Sequence, residues 1–202
     1  MDRAMSFPVM ESFLTIQGEG HHQGRAAYFV RLGGCDVGCF WCDVKESWEA
    51  AAHPPREIDQ IVAECVDSGV SLVVLTGGEP LMYDLSTLIA ALHAQKLEVH
   101  IETSGAYPLT GSPDWVCFSP KRFKKPVAGF AQRADELKVV IYAESDLVWA
   151  ESFAEQVRPD CVLSLQPEWD KSERVLPRLI AYVQAHPKWR ISLQTHKFMQ
   201  IP

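Results

Sequence analysis

No segment of the 202-residue chain is long or apolar enough to span a bilayer. The opening MDRAMSFPVMESF also lacks the basic start, apolar run and small-residue cleavage site of a secretory signal. A cytoplasmic location and no membrane partner are therefore expected. No long block of like charge occurs, and the formal net charge of −7 argues against a surface that coats nucleic acid. The densest basic stretch, Lys121 to Lys125, is short and reads as a solvated loop. Repeats, low-complexity stretches and a convincing linker are missing, so residues 1–202 are expected to form a single domain around one core. The six cysteines make no disulfide framework. Three crowd into the eight positions from Cys35 to Cys42, while Cys65, Cys117 and Cys161 are scattered at apolar periodic positions. Clustered thiols in a reducing compartment more often bind metal or do redox work, and scattered ones read as buried and inert.

What is present is the alternation of short apolar runs with amphipathic segments. Ala26–Leu32, Ser71–Thr76, Leu97–Glu102, Trp115–Ser119, Glu136–Tyr142, Cys161–Leu165 and Arg190–Gln194 read as strands. Glu57–Asp67, a segment capped by Asp84 and carrying Leu85, Leu88, Ile89 and Leu92, Asp146–Val157 and Ser172–His186 read as helices. Strand–helix alternation implies a mostly parallel sheet. The links 104–114 and 121–135 contain Pro and Gly and carry no helical stripe, so the expected α/β fold is a partial (β/α) barrel with few helices. In such a fold the site gathers at the C-terminal ends of the strands. Five polar motifs obey that rule: Thr76-Gly77-Gly78-Glu79-Pro80, Glu102-Thr103-Ser104-Gly105, Ser119-Pro120-Lys121, Gln166-Pro167 and Gln194-Thr195-His196-Lys197 each follow a strand.

Cys35-x3-Cys39-x2-Cys42 lies in the loop after the first of these strands. Soft thiolates select iron–sulfur clusters, zinc or copper(I). A closed zinc site wants four protein ligands, and here one tight trio stands without an obvious fourth cysteine; a Cys3His zinc site would need His21, His22 or His53. Three thiolates can instead hold three corners of a [4Fe–4S] cube and leave one iron open to a small molecule such as S-adenosylmethionine.

The trio, with an aromatic before its last cysteine, resembles the cluster loop of radical S-adenosylmethionine enzymes. Thr76-Gly77-Gly78-Glu79-Pro80 resembles that superfamily's second motif, which contacts the methionine part of the cofactor. Across nearly the whole chain, Thr15-Ile16-Gln17-Gly18-Glu19-Gly20, Phe29-Val30-Arg31-Leu32, Cys42-Asp43, Glu102-Thr103-Ser104-Gly105, Ser119-Pro120-Lys121 and Gln194-Thr195-His196-Lys197-Phe198 resemble the 7-carboxy-7-deazaguanine synthase family. That resemblance implies a radical S-adenosylmethionine fold and a carbon–nitrogen lyase. The implied reaction is a ring contraction of 6-carboxy-5,6,7,8-tetrahydropterin to 7-carboxy-7-deazaguanine and ammonia on the route to queuosine and other 7-deazapurines. It implies a [4Fe–4S] cluster, S-adenosylmethionine and Mg²⁺ as cofactors, an electron-donor protein such as flavodoxin or ferredoxin, and a homodimer.

The resemblance also distributes roles. Cys35, Cys39 and Cys42 would ligate the cluster. Gly78, Glu79, Ser119, Pro120, Lys121, Gln166, Pro167, Glu168 and Trp169 would surround S-adenosylmethionine. Ile16, Gln17, Gly18, Arg31, Thr76 and the carboxylate of Pro202 would meet the pterin, with Arg31 suited to its carboxylate as a planar bidentate donor. No residue is singled out as acid or base. The family usually has Thr or Ser after Cys42-Asp43, whose hydroxyl helps hold Mg²⁺, whereas this chain has Val44, whose side chain offers no oxygen to a hard cation. Weakened or rearranged Mg²⁺ binding is therefore expected. Blander readings stand beside these roles: Glu19 as a surface charge, Arg31 in a structural ion pair, Glu79 and Glu102 as structural carboxylates, His196 as a cap on the sheet edge, and Trp41, Trp169 and Phe198 as packing residues. Two rival functions are an activase that makes a glycyl radical on a partner protein and a zinc-stabilised binding module.

Overall fold

The computed structural model describes residues 5–202. Nine strands form one sheet, β1 (Ser6–Ile16), β2 (Ala26–Leu32), β3 (Pro55–Glu57), β4 (Leu72–Gly77), β5 (Glu98–Thr103), β6 (Trp115–Phe118), β7 (Glu136–Ile141), β8 (Val162–Pro167) and β9 (Trp189–Ile191). Their order is β3-β1-β2-β4-β5-β6-β7-β8-β9. From β2 onward all neighbours pair in parallel, and β1 joins β2 and β3 antiparallel. Helices α1 (Ile58–Asp67), α2 (Ser86–Ala94), α3 (Ser145–Ala154) and α4 (Ser172–Ala185) follow β3, β4, β7 and β8, and a five-residue α5 (Thr195–Met199) follows β9. As expected, the links after β5 and β6 carry no α-helix.

Strand periodicity explains both faces of the sheet. Val30 and Leu32 of β2, Val73 and Leu75 of β4, Val99 and Ile101 of β5, Leu137, Val139 and Ile141 of β7 and Leu165 of β8 are buried in the core with Ile61, Cys65, Leu88, Leu92, Ala150 and Leu179 of the helices. The alternate positions face the concave side. On β2 and β4 these are Ala27, Phe29, Leu72 and Val74, a second apolar cluster. On β5, β7 and β8 they are polar: His100, Glu136, Lys138, Ser164 and Gln166 are all buried. Gln60 completes a capping box with Glu57 at the start of α1, and Asp84 Oδ1 accepts from Ser86 N at 2.9 Å where α2 begins.

Three elements escape the periodic reading of the sequence. β1 contains Pro8, and its pairing shifts register between Val9 and Glu11. A proline and a bulge both break strict alternation. β3 has only three residues. β9 ends at Ile191 rather than Gln194, because the chain turns into α5 when Thr195 N and Oγ1 both donate to Gly18 O at 2.9 Å.

That last contact closes the barrel. The β1–β2 connection, residues 17–25, crosses the concave face toward the far edge. Arg25 grips Glu98 with both Nη atoms, at 2.9 and 2.5 Å. His21 N donates to Glu136, and Gly20 N donates to Ser192 Oγ at 2.9 Å. At the centre, buried Lys138 donates to Glu19 Oε2 at 2.6 Å and Glu102 Oε2 at 2.9 Å. Burial alone would push the Glu19 carboxyl up, but Lys138 and the amides of Gln194 and Gln166 hold it down at about 2. Burial likewise works against the Lys138 ammonium, and Glu102 and Glu19 outweigh it, raising its pKa well above the usual lysine range.

The lowered Glu19 pKa fixes the direction of a pH effect. Its stabilisation is complete above the ordinary carboxyl value of 4.5 and is lost as pH falls toward about 2. Urea denaturation across that range should show stability declining, and Glu19→Gln should flatten this limb. At neutral pH the same variant should cost about 2 kcal/mol, because Lys138 keeps only one of its two anions.

Candidate active site

The strand ends and the crossing loop enclose one cavity of about 530 Å³. Its walls bring together Cys35, Cys39 and Cys42, Ile16 to Gly18, Arg31, Thr76, Gly78, Glu79, Ser119, Lys121, Gln166 to Trp169 and Pro202, so every site residue picked from the sequence except Pro120 faces it. Pro120 is buried outside the lining.

The cysteine loop is placed by backbone. Gly34 N and Cys35 N donate to Ser47 O and Trp48 O, at 2.6 and 3.1 Å. On the other side Glu79 N donates to Gly34 O at 2.9 Å, and Gly78 N to Leu32 O at 3.0 Å. A Cβ on Gly78 would lie 2.4 Å from Gly34 O and 2.6 Å from Cys35 Cβ, so glycine is required there for the two loops to touch. The three thiols share a small cluster with Val37, Trp41, Ala106 and Tyr107. Burial pushes the Cys35 thiol up, and pushes Cys39 up to about 11. Burial thus favours the thiol form of Cys35 and Cys39, and binding a soft metal would release their protons.

The donor set fits a cluster better than a zinc ion. Among the described residues no three His, Cys, Asp or Glu side chains converge as ligands of one metal ion. None of the three candidate histidines faces the cavity. His53 Nε2 lies 2.9 Å from Glu46 O, and His21 and His22 pack on Trp115 with centroids 5.2 and 4.5 Å away. Three cysteines around one open space, with no fourth protein ligand, match a cube that keeps one iron free.

Beside the thiols, Glu79 is 1% exposed and accepts from Thr103 Oγ1 (2.6 Å), Ser104 N (2.8 Å), Ser104 Oγ (2.5 Å) and Leu81 N (3.1 Å). Its carboxylate ties the end of β4 to the end of β5. Glu168 accepts from Asp170 N and Lys171 N, capping a short turn before α4. Lys121 Nζ folds back on Ser119 O and Oγ, at 2.7 and 2.6 Å, and burial lowers its pKa.

At the far wall, Arg31 Nε donates to Glu11 Oε1 at 2.7 Å, while both Nη atoms are free of protein hydrogen bonds among the described residues. The expected ion pair and a free guanidinium fork coexist. Gln17 Nε2 donates to Glu102 Oε1 at 2.9 Å, and Gln194 Nε2 to Glu19 Oε1 at 2.9 Å. Glu19 is therefore no surface charge. His196 packs against Gly18, where a Cβ would fall 2.3 Å from its Nδ1; burial lowers its pKa and favours the neutral ring. Thr15 Oγ1 donates to Pro202 O at 3.0 Å, bringing the last residues over the cavity. Asp43 Oδ2 accepts from Lys197 Nζ at 2.7 Å and Gln194 Nε2 at 3.3 Å, and Val44 adds only apolar surface.

Sequence reasoning missed Lys138 as a site residue, although two charged residues, Glu136 and Lys138, at alternate positions of a strand whose other residues are apolar were a readable signal. It also missed Phe13, Phe29 and Trp48, which line the same cavity. Phe13 and Phe29 are cross-strand partners stacked at 5.6 Å.

Comparison with known proteins agrees with this geometry. The Radical SAM superfamily pattern matches residues 29–117. The 7-carboxy-7-deazaguanine synthase of Flavobacterium psychrophilum is 54% identical over 100% of this chain and 96% of its own length. That of Synechocystis sp. is 47% identical over 98% and 94%. The solved structure of QueE from Escherichia coli superposes with a TM-score of 0.78 at 30% identity, covering 93% of each chain. The identities extend over the full fold that builds the cavity, and the chain belongs to the 7-carboxy-7-deazaguanine synthase family of the radical S-adenosylmethionine superfamily.

Proposed function

We propose that this chain converts 6-carboxy-5,6,7,8-tetrahydropterin to 7-carboxy-7-deazaguanine with release of ammonia, a step in queuosine and related 7-deazapurine synthesis. The observation that carries the reading is the single cavity that joins a three-thiol loop at one side to an arginine fork and an amide-rich floor at the other. Cys35, Cys39 and Cys42 would hold the [4Fe–4S] cluster, and S-adenosylmethionine would lie along Gly78, Glu79, Ser119, Lys121 and Gln166 to Trp169. Cluster and S-adenosylmethionine together supply the one-electron chemistry that opens the reaction.

The remaining work falls to this chain's residues. Arg31, anchored at Nε by Glu11, can present two parallel N–H groups to the pterin carboxylate. Thr76, Ile16, Gln17 and Gly18 would meet the ring, with the Gln17 amide oriented by Glu102. Lys138 remains charged between its two carboxylates, so it orders the floor rather than donating a proton. Ile201 and Pro202 line the same cavity, where the Pro202 carboxylate would meet the pterin. A reducing partner protein, a homodimer and a cytoplasmic setting accompany the reading.

Magnesium fits these residues poorly. The Val44 side chain has no oxygen to offer, its carbonyl already accepts from Ser47, and Asp43 already faces the Lys197 ammonium. Mg²⁺ binding is therefore inferred to be weak or rearranged.

The decisive experiment is anaerobic reconstitution with iron and sulfide, reduction, and addition of S-adenosylmethionine and 6-carboxytetrahydropterin. Mass spectrometry should find 7-carboxy-7-deazaguanine with no net loss of S-adenosylmethionine; cofactor cleavage with the pterin untouched would reject this substrate. Arg31→Gln should raise the KM for the pterin by about 100-fold, the worth of a bidentate charged contact, with S-adenosylmethionine affinity unchanged. Turnover should vary little between Mg²⁺-free and Mg²⁺-supplemented buffer, and a strict requirement would show that the metal finds other ligands.

A further inference from the structure

The cysteine loop carries an aromatic group that the cavity does not use. Phe40, between Cys39 and Cys42 in sequence, points outward and is 57% exposed, and Phe123 beside it is 40% exposed. Their rings meet edge to face at 5.5 Å, and Phe40 meets Tyr142 the same way at 5.3 Å. Trp41, which lines the cavity, touches Phe123 from behind at 5.9 Å. Phe123 stands at the tip of a tight turn closed by the bridge between Lys121 and Lys124. The patch is thus held in place rather than left on a loose loop. Contiguous exposed aromatics with a polar rim mark interaction surfaces.

The rim is basic. Arg122, Lys124 and Lys125 lie on this outer face, while Lys121 turns in toward the cavity, in a protein whose net charge is −7. Arg122 and Lys124 are paired with Asp146 and Asp36 at the border. Lys125 makes no ion pair among the described residues, nor does Lys171, whose ammonium lies 5.7 Å from the Tyr142 ring centroid. A local positive rim on an acidic protein attracts a negatively charged partner and orients it.

We propose that Phe40, Phe123 and the Arg122–Lys125 rim form the docking surface for an acidic one-electron donor protein carrying a flavin or an iron–sulfur centre. This assignment rests on the cluster reading above. A donor seated there lies against the two cysteines that flank Phe40, on the outer side of the loop whose inner side faces the substrate cavity. One electron leaves the donor, which is oxidised by one equivalent, and the cluster is reduced by one; no bond is made or broken. A small aromatic centre with a charged rim suits a transient encounter, since redox interfaces bury less than about 1,200 Å².

The test uses the reconstituted full chain, an acidic flavodoxin in its hydroquinone form, and dithionite as a small reductant that needs no docking surface. Phe123→Ser and Lys125→Glu should each lower the rate constant for cluster reduction by flavodoxin about tenfold, and weaken flavodoxin binding by titration to a similar degree. Their reduction by dithionite and dithionite-driven turnover should match the wild type. Raising the salt concentration should slow the wild type toward the Lys125→Glu rate. Equal flavodoxin rates and affinities in all three proteins would overturn the assignment. So would gel filtration showing that Phe123→Ser splits a dimer, since a second copy would then cover the patch. Dithionite-driven turnover of the wild type reports separately on the proposed reaction, so failure of one reading is distinguishable from failure of the other.

Discussion

A lysine ammonium with almost no solvent sits between two carboxylates inside this barrel, and the rest of the site is arranged around it. Lys138 belongs to β7, Glu102 to β5, and Glu19 to the loop joining β1 and β2. Removing Lys138 leaves two anions without a counter-charge, and removing either carboxylate leaves the buried ammonium with a single anion, which is why such sets are held rigidly when present. Here the consequence is topological. The loop that carries Glu19 is pulled across the concave face, and the far edge of the sheet is drawn onto it through Gly18 and Thr195. An open sheet becomes a closed vessel without a closing pair of strands.

From that centre the polar contacts run outward in a defined order. Glu19 orients Gln166 and Gln194, and Glu102 orients Gln17. Gln17 and Gln166 are held at both ends, since Gln17 Oε1 accepts from Glu19 N and Gln166 Oε1 from Ser192 Oγ, so the floor of the cavity keeps a set polar geometry. Glu79 performs the same service between β4 and β5 through Thr103 and Ser104. The cysteine loop is then laid against this frame by main-chain bonds, where Gly78 permits contact at a distance no side chain would tolerate. The end of the chain completes the enclosure through Lys197 on Asp43 and Thr15 on Pro202.

The sequence already contained β2, the strands from β4 to β8 and the four longer helices, because each buries one face and displays its period. The thiol trio was legible for a different reason: its spacing is local, so the chemistry is written in eight consecutive positions. β1 was not legible, since Pro8 and the bulge near Met10 interrupt its alternation. Five-residue α5 is too short to show a stripe, and its position depends on a carbonyl from residue 18.

What the sequence by itself determined is therefore what depends on neighbours along the chain: the parallel α/β pattern, the cluster loop, the polar motifs at strand ends, and the lack of a side-chain oxygen at Val44. Only the tertiary structure decided the status of the charges. Glu19, for which a surface charge was the blander reading, is drawn mostly out of solvent against Lys138; Arg31 makes an ion pair through Nε and leaves both Nη atoms without protein partners among the described residues; Glu79 turned out to be saturated by Thr103, Ser104 and Leu81. A carboxylate's surroundings are set by residues up to 175 positions away in sequence, and no local pattern records which distant group the fold will bring to it.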